Sequence, residues 1–314
     1  MVRLAAMEQP TAGAGLPSPS KLQVFFRRAL STVVLWGVLL AALFSGLEWL
    51  ANPVFLAFLL ALALAGLAEF YALVEKRGLV CFRRWGLAGG AVLIVGTFLH
   101  ATGRLGIHNS PARANDFEMG LIILFVLGLC LRQLFARTNP AGLLAISTTL
   151  LGLMYVPWLL NFIQKINFFP GLGEAGRWYV LYFVLVTKFS DTGAYAVGSL
   201  MGRHKLIPRV SPAKTWEGFF GAIAISTAAS LVFAHLAATR LPGMTLLHAT
   251  ILGVLLGGAA VLGDLIESLF KREAGVKDSG RFFPGIGGVL DLLDSLLFNA
   301  PLMYLYLRHV LTRP

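Results

Sequence analysis

Two triplets in the last quarter of the chain carry the residue types needed to hold a hard cation. Asp264, Glu267 and Ser268 stand at i, i+3 and i+4, and Asp291, Asp294 and Ser295 repeat that spacing. On helices, each triplet shares one face. The polar segment between them brings Lys271, Arg272, Lys277 and Arg281, so cations surround both sets of carboxylates. Carboxylates with a few oxygen ligands and room for phosphate are what Mg²⁺ prefers. The glycine-rich run from Gly285 to Gly288 comes just before the second triplet. Free backbone N–H groups at such a helix start could contact phosphate. The plainer reading is a set of interhelical salt bridges with glycines that only turn the chain. Concentrating carboxylates at two helix edges is expensive unless a cation binds there, so the residues read as a metal site for phosphate chemistry.

Two further stretches belong with these. In "TKFSDTGAYAVGSLMGRHKL", Lys188 and Asp191 lie three apart on one side of an apolar run. A charge at the centre of a membrane helix costs roughly 2.5–3.5 kcal/mol and persists where it pairs or faces a polar cavity. A structural Lys–Asp pair is the alternative. Gly193, Ala194, Ala196 and Gly198 allow close helix approach, and packing is their simplest role. The loop "GRHKLIPRVSPAKTWEG", Gly202 to Gly218, is basic, which beside a membrane reads first as a contact with anionic lipid. Yet Pro208 and Pro212 stiffen it, and "SPAKTWEG" mixes hydroxyls, a cation and an aromatic. Those groups suit holding phosphates and stacking a base.

These residues must be positioned by membrane helices. Of 314 residues 57% are hydrophobic and 13% charged, against about 25% charged in a typical soluble domain. Mean hydropathy is +0.76. Runs long enough to cross a ~30 Å hydrocarbon core recur along the sequence and must be helical, because lipid cannot satisfy open backbone groups. The expected fold is all-α and polytopic, with about nine spans at 29–50, 53–74, 85–102, 117–135, 141–163, 178–200, 218–238, 246–267 and 287–310. Residues 1–26 read as a disordered cytoplasmic tail without a signal-peptide core, 27–175 as a scaffold of spans 1 to 5, and 176–314 as the catalytic region. Glu48, Glu69 and Glu75 lie near helix ends in the scaffold half, an ordinary pattern there. With the N-terminus inside, 18 Lys and Arg face the cytoplasm against seven outside, which puts the polar clusters on the cytoplasmic side. The net charge of +11 follows from that topology, so nucleic acid is not an expected partner. Cys81 and Cys130 and the six histidines form no metal or redox spacing.

At these residues the sequence resembles the phosphatidate cytidylyltransferase (CDP-diacylglycerol synthase) family. Its C-terminal signature is matched by Ser268, Lys271, Arg272, Lys277, Asp278, Pro284, Gly285, Gly287, Gly288, Asp291, Asp294 and Ser295. The "SDTGAY", "SPAKTWEG" and "GDLIES" blocks follow in the family's order, over about residues 180–300. The resemblance implies transfer of a cytidylyl group from CTP to phosphatidic acid at the cytoplasmic side of a membrane, the inner one in a bacterium. It implies Mg²⁺ on Asp264 and Asp291, with Asp294 as a further ligand or orienter, and Lys277 and Asp278 among the catalytic residues. Lys271, Arg272 and Lys277 would neutralise the triphosphate, Lys214 and Ser211 would close over it, Ser268 would help bind substrate, and Asp191 would line the same cavity, between spans 6, 8 and 9. A monovalent cation and a homodimer stay open. Two positions depart from the family: Ile286 replaces a His and Leu292 replaces an Arg. A phosphate nucleophile is already ionised near neutral pH, so loss of that His is expected to be tolerated.

Rival readings differ in what they need. A CTP-dependent kinase of a polyprenol-type lipid alcohol shares part of the pattern and differs in product. A CDP-alcohol phosphatidyltransferase would need an Asp-Gly-x-x-Ala-Arg run, which is absent. An ion-coupled transporter could use intramembrane Asp and Lys, but it has no need of the Ser- and Trp-containing basic loop and often shows repeat symmetry, which the two halves lack.

Overall fold

The computed structural model describes residues 33–34, 36–41, 43–44, 48–106, 110–136, 141–280 and 287–312. The chain forms α1 (Glu48–Lys76), α2 (Arg83–Ala101), α3 (Pro111–Leu134), α4 (Gly142–Leu153), a π-helical turn (Met154–Trp158), α5 (Leu159–Asn167) and α6 (Ala175–Met201). A hairpin of β1 (Lys205–Ile207) and β2 (Ser211–Thr215) follows, then α7 (Trp216–Leu236), α8 (Leu246–Glu273) and α9 (Val289–Tyr306). Seven helices among the described residues are long and apolar enough to cross a membrane, with α4, the π turn and α5 counting as one. The chain is an all-α, polytopic integral membrane protein. Of the two other expected spans, the first lies partly outside the described residues. The other, α6, is long enough to cross but carries Arg177, Lys188 and Asp191.

Local chemistry sets the helix ends. Ser110 caps α3 through the Arg113 N–H (3.3 Å), with Pro111 at the first helical position, where its missing donor costs nothing. Polar residues fill the first two turns, which is why this helix begins six residues before the apolar run at 117. Pro157 has no N–H to give, and the helix absorbs it with the π turn and continues to Asn167. At the end of α8, Gly275 takes φ +69°, which lets the Val276 N–H reach Lys271 O (2.9 Å) and the Gly275 N–H reach Arg272 O (3.0 Å). That arrangement satisfies the last carbonyls and reverses the chain just beyond Lys271 and Arg272.

The core sits around α9. Its most apolar stretch is 61% buried inside the protein, against 11% for α3, so α9 is central and α3 peripheral. The α9 helix packs on α8, α5, α1 and α6. Small residues bring the helices of the C-terminal half into near backbone contact. A Cβ at Gly193 would lie 2.6 Å from Gly221 O, and one at Gly221 would lie 2.4 Å from Val197 Cβ, which closes α6 on α7. A Cβ at Gly263 would sit 2.5 Å from Asp294 O, so this glycine admits α9 against α8 at the acidic residues. Interhelical hydrogen bonds reinforce the seams: Ser190 Oγ to Gly257 O (3.1 Å), Ser226 Oγ to Gly253 O (2.9 Å), and Asn299 Nδ2 to Thr187 Oγ1 (2.7 Å). Phe70, Tyr155 and Phe270 meet with centroids 5.3–5.8 Å apart and fasten α1 to α8.

Candidate active site

The acidic residues converge at one end of the bundle, where α6 and α8 finish and α7 and α9 begin. One carboxylate oxygen each from Asp264, Glu267 and Asp294 lie within 4.8 Å of one another. Asp264 is ion-paired with Lys214 (2.7 Å) and receives a long hydrogen bond from Ser268 Oγ (3.4 Å). Glu267 is fully buried and ion-paired with Lys271. Asp294 is buried and accepts from Ser295 Oγ (2.8 Å), which also reaches Asp191 Oδ1 (3.2 Å). Lys188 pairs with Asp191 (3.1 Å), one turn along α6, and donates to Leu292 O (3.3 Å). The ammonium of Lys188 therefore sits on the backbone of the residue that departs from the family's Arg.

A cavity of about 490 Å³ opens over these groups. Asp191, Tyr195, Lys214, Phe219, Asp264 and Asp294 contribute to its wall, and so do Asp291 and Ser295. It lies between spans 6, 8 and 9 as the sequence indicates, with α7 and the β-hairpin as further walls. The "SPAKTWEG" segment is thus not an open loop. β1 and β2 pair antiparallel, Lys205 opposite Thr215 and Ile207 opposite Ser211, and the Trp216 N–H closes on His204 O (2.9 Å). Thr215 then caps α7 through the Gly218 N–H (3.1 Å). Lys214 is therefore held between a strand and a helix cap, aimed at Asp264.

Asp291 behaves differently from Asp264 and Asp294. Its Oδ1 accepts from Lys271 (2.6 Å), while Oδ2 accepts from Gly288 N (2.8 Å), Ser279 N (3.2 Å) and Ser279 Oγ (2.9 Å). It is the third residue of α9 and caps its own helix start. The family resemblance implies a metal on Asp264 and Asp291, whereas the folded chain groups Asp264 with Asp294 and Glu267. Asp291 still borders the cavity and fixes Lys271, which links it to Glu267.

Other residues singled out from the sequence fall at varied distances from this centre. The Arg272 side chain donates to Val210 O (3.2 Å) and Val276 O (3.4 Å), binding the hairpin turn to the end of α8 rather than lining the cavity. Lys277 and Asp278 are exposed on the segment after α8, and Ser211 is half-buried on β2. None of these three borders the cavity. Arg281, Pro284, Gly285 and Ile286 lie outside the described residues. Two residues gain importance from the fold. Glu267, on the shared face with Asp264, joins the acidic cluster. Glu69, from α1, reaches Ser279 Oγ (3.1 Å) and Leu290 N (2.8 Å).

Four carboxylates on the cavity wall (Asp191, Asp264, Asp291 and Asp294) and Glu267 buried beside them meet three ammonium groups, Lys214 on the wall and Lys188 and Lys271 behind it. With all eight ionised, the formal balance is −2.

A family model described as the cytidylyltransferase family matches residues 27–310. Among curated proteins, a phosphatidate cytidylyltransferase of Staphylococcus haemolyticus is 46% identical over 140 residues, 45% of this chain and 53% of the relative. A phosphatidate cytidylyltransferase of Staphylococcus epidermidis is 48% identical over 132 residues, 42% of this chain and 50% of the relative. One from Staphylococcus aureus is 44% identical over 140 residues, again 45% and 53%. The match spans about half the length of these relatives.

Proposed function

This chain belongs to the cytidylyltransferase family, and from that premise we propose that it transfers the cytidylyl group of CTP to phosphatidic acid. The products are CDP-diacylglycerol and pyrophosphate. The observation that carries the reading is the acidic cluster with its three lysines around one cavity, and the printed names of the relatives agree with it. Asp264, Glu267 and Asp294 fit a divalent cation: they offer hard oxygen donors within 4.8 Å, in a site whose formal charge lacks two positives. When bound there, Mg²⁺ would offset charge on the α-phosphate and the departing pyrophosphate.

The chain's own residues do the rest by position and charge. A phosphatidate oxygen, already ionised, forms the new bond to the α-phosphorus of CTP as the bond to the bridging oxygen breaks. The electron pair leaves with pyrophosphate, so no side chain need carry a proton. Lys214 stands at the mouth of the acidic cluster with a partner it can exchange for a phosphate oxygen. Lys188 holds Asp191, and the Ser295 hydroxyl lies within reach of Asp294 and Asp191 and donates to one of them at a time. Lys271 is committed to Glu267 and Asp291, and it serves as a fixed counter-charge rather than as a free clamp. Tyr195 and Phe219 supply apolar wall. A cavity at a helix-end boundary suits a lipid headgroup and a water-borne nucleotide together, and we place it at the cytoplasmic face of a bacterial inner membrane.

The test is CDP-diacylglycerol formation by detergent-purified protein from labelled CTP and phosphatidic acid, with Mg²⁺ and with chelator. Product that disappears on chelation is the expected result. Folded protein that instead phosphorylates a lipid alcohol from CTP would replace this reading with the kinase one.

A further inference from the structure

We propose that Glu69, on α1 of the scaffold half, is a positioning residue for this reaction. Its carboxylate pins the first turn of α9, which carries Asp291 and Asp294, and clasps the segment that links α8 to α9. The inference rests on the cytidylyl-transfer reading of the site.

Glu69 meets Leu290 across 221 residues of sequence. The N–H groups in the first turn of a helix have no partner within it and attract negative charge. Asp291 takes the Gly288 N–H (2.8 Å) and Glu69 takes the Leu290 N–H (2.8 Å), so two carboxylates from different helices complete this turn. Ser279 lies between them, its Oγ 3.1 Å from Glu69 Oε2 and 2.9 Å from Asp291 Oδ2. A hydroxyl has a single hydrogen to donate, so it serves one carboxylate at a time. The Ser279 N–H (3.2 Å) stays with Asp291 whichever way the hydroxyl turns. Removing Glu69 thus gives the hydroxyl wholly to Asp291 and strands the Leu290 N–H.

The carboxylate is also fitted sterically. A Cβ on Gly280 would lie 2.1 Å from Glu69 Oε1, and one on Gly288 would lie 2.4 Å from Glu69 Oε2. Gly280 and Gly288, both in the linking segment, therefore close onto this one side chain. The Phe70–Phe270 contact, 5.7 Å between centroids, holds the neighbouring residues of α1 and α8 together and fixes the direction from which Glu69 approaches. Asp294 lies one turn further along α9, so any shift in the start of that helix moves it relative to Asp264.

Glu69→Ala and Glu69→Gln in the full chain test this. Glutamine keeps a carbonyl acceptor for the Leu290 N–H and drops the charge. Misplacing reacting groups by about 1 Å can cost on the order of 100-fold. The expected result is a fall in kcat of roughly 10- to 100-fold in Glu69→Ala. KM for CTP should change little, and Glu69→Gln should keep most of the rate. Hydrogen exchange over residues 287–296 gives a readout that does not need activity: it should accelerate in Glu69→Ala and stay near the parent in Glu69→Gln. Should Glu69→Ala fail to fold, Gly280→Ala, whose Cβ would first meet Oε1, Cδ and Cγ of Glu69, displaces the same carboxylate and should reproduce both effects. Parent-like exchange in the disrupting variant would overturn the proposal. So would full kcat with fast exchange, or equal loss of rate in Ala and Gln variants with exchange unchanged. A parent protein that forms no CDP-diacylglycerol would overturn the cytidylyl-transfer reading alone, and exchange would still decide the pinning.

Discussion

Replacing Asp264 with Asn should separate catalysis from stability by a wide margin. The side chain keeps its shape and loses its charge, which leaves Lys214 facing an amide at the present 2.7 Å position. Asp264 is 40% exposed and Lys214 19%, so their pair is partly screened, and such pairs contribute at most about 1 kcal/mol to stability. For a chain this large that corresponds to roughly 2–4 °C or less in thermal midpoint. The kinetic effect is of another order. One of three clustered oxygen donors loses its charge, and the formal balance around the cavity goes from −2 to −1. Removing a single preorganised group that stabilises developing charge typically costs about 100- to 1,000-fold in kcat, or roughly 2.7–4 kcal/mol. We therefore expect CDP-diacylglycerol formation to drop by two to three orders of magnitude while the midpoint moves only slightly, with more Mg²⁺ needed for half-saturation. The assay is initial rate against Mg²⁺ concentration, paired with thermal unfolding in the same detergent. Asp264→Asn protein that retains a third of the parental rate, or that loses rate only in proportion to unfolding, would refute the placement of Asp264 at the reaction.

Glu118→Gln should show the opposite pattern. It leaves Lys165 charged and buried between the Phe162 and Tyr304 rings, costing about 3–5 kcal/mol of stability, and surviving folded protein should keep its specific rate. A chemical or thermal melt that moves by less than 1 kcal/mol would contradict it. Gly221→Val should force α7 off α6, since even a Cβ would lie 2.4 Å from Val197 Cβ, and should lower both stability and rate; unchanged yield and activity would mean the helices are not in backbone contact. Thr215→Ala removes the cap of α7 at a cost of about 1 kcal/mol. Because Lys214 is the adjacent residue, KM for CTP should rise a few-fold with kcat less affected, as steady-state kinetics would show.

The helices were legible because lipid leaves backbone no other choice, and the cavity was legible because charge inside such helices must pair or bind. Partner choice across helices was harder to read. Periodicity puts Asp264 on a face, and it puts Asp291 and Asp294 together on another, but it does not say how far one helix slides along its neighbour. Here Gly263 sets that offset by admitting Asp294. A local signal did exist: Asp291 stands three residues after Gly288, the position from which an acidic side chain caps a helix. Glu69 had no such signal, because nothing near it in sequence distinguishes a carboxylate at a helix end from one reaching across the bundle to Leu290. Lys277 and Asp278 show the converse, since matching a motif did not bring them to the cavity wall.

Burial alone does not separate a structural charge from a functional one, because both kinds occur in this chain. Lys165 and Glu118 are each 3% exposed and pair at 2.6 Å, and Asn161 also hydrogen-bonds Glu118. One cation meets one anion, and aromatic rings close the remaining space, so nothing more is required for neutrality. Around Asp264 the same accounting does not close one to one: five carboxylates face three ammonium groups, and four of the carboxylates border a 490 Å³ cavity instead of packed side chains. A fold that could neutralise Glu118 with one lysine could have done the same for Asp294. Keeping Asp294 buried beside Asp264 and Glu267 costs stability that a proton or a cationic ligand must return, and the cavity beside them is open to the ligand.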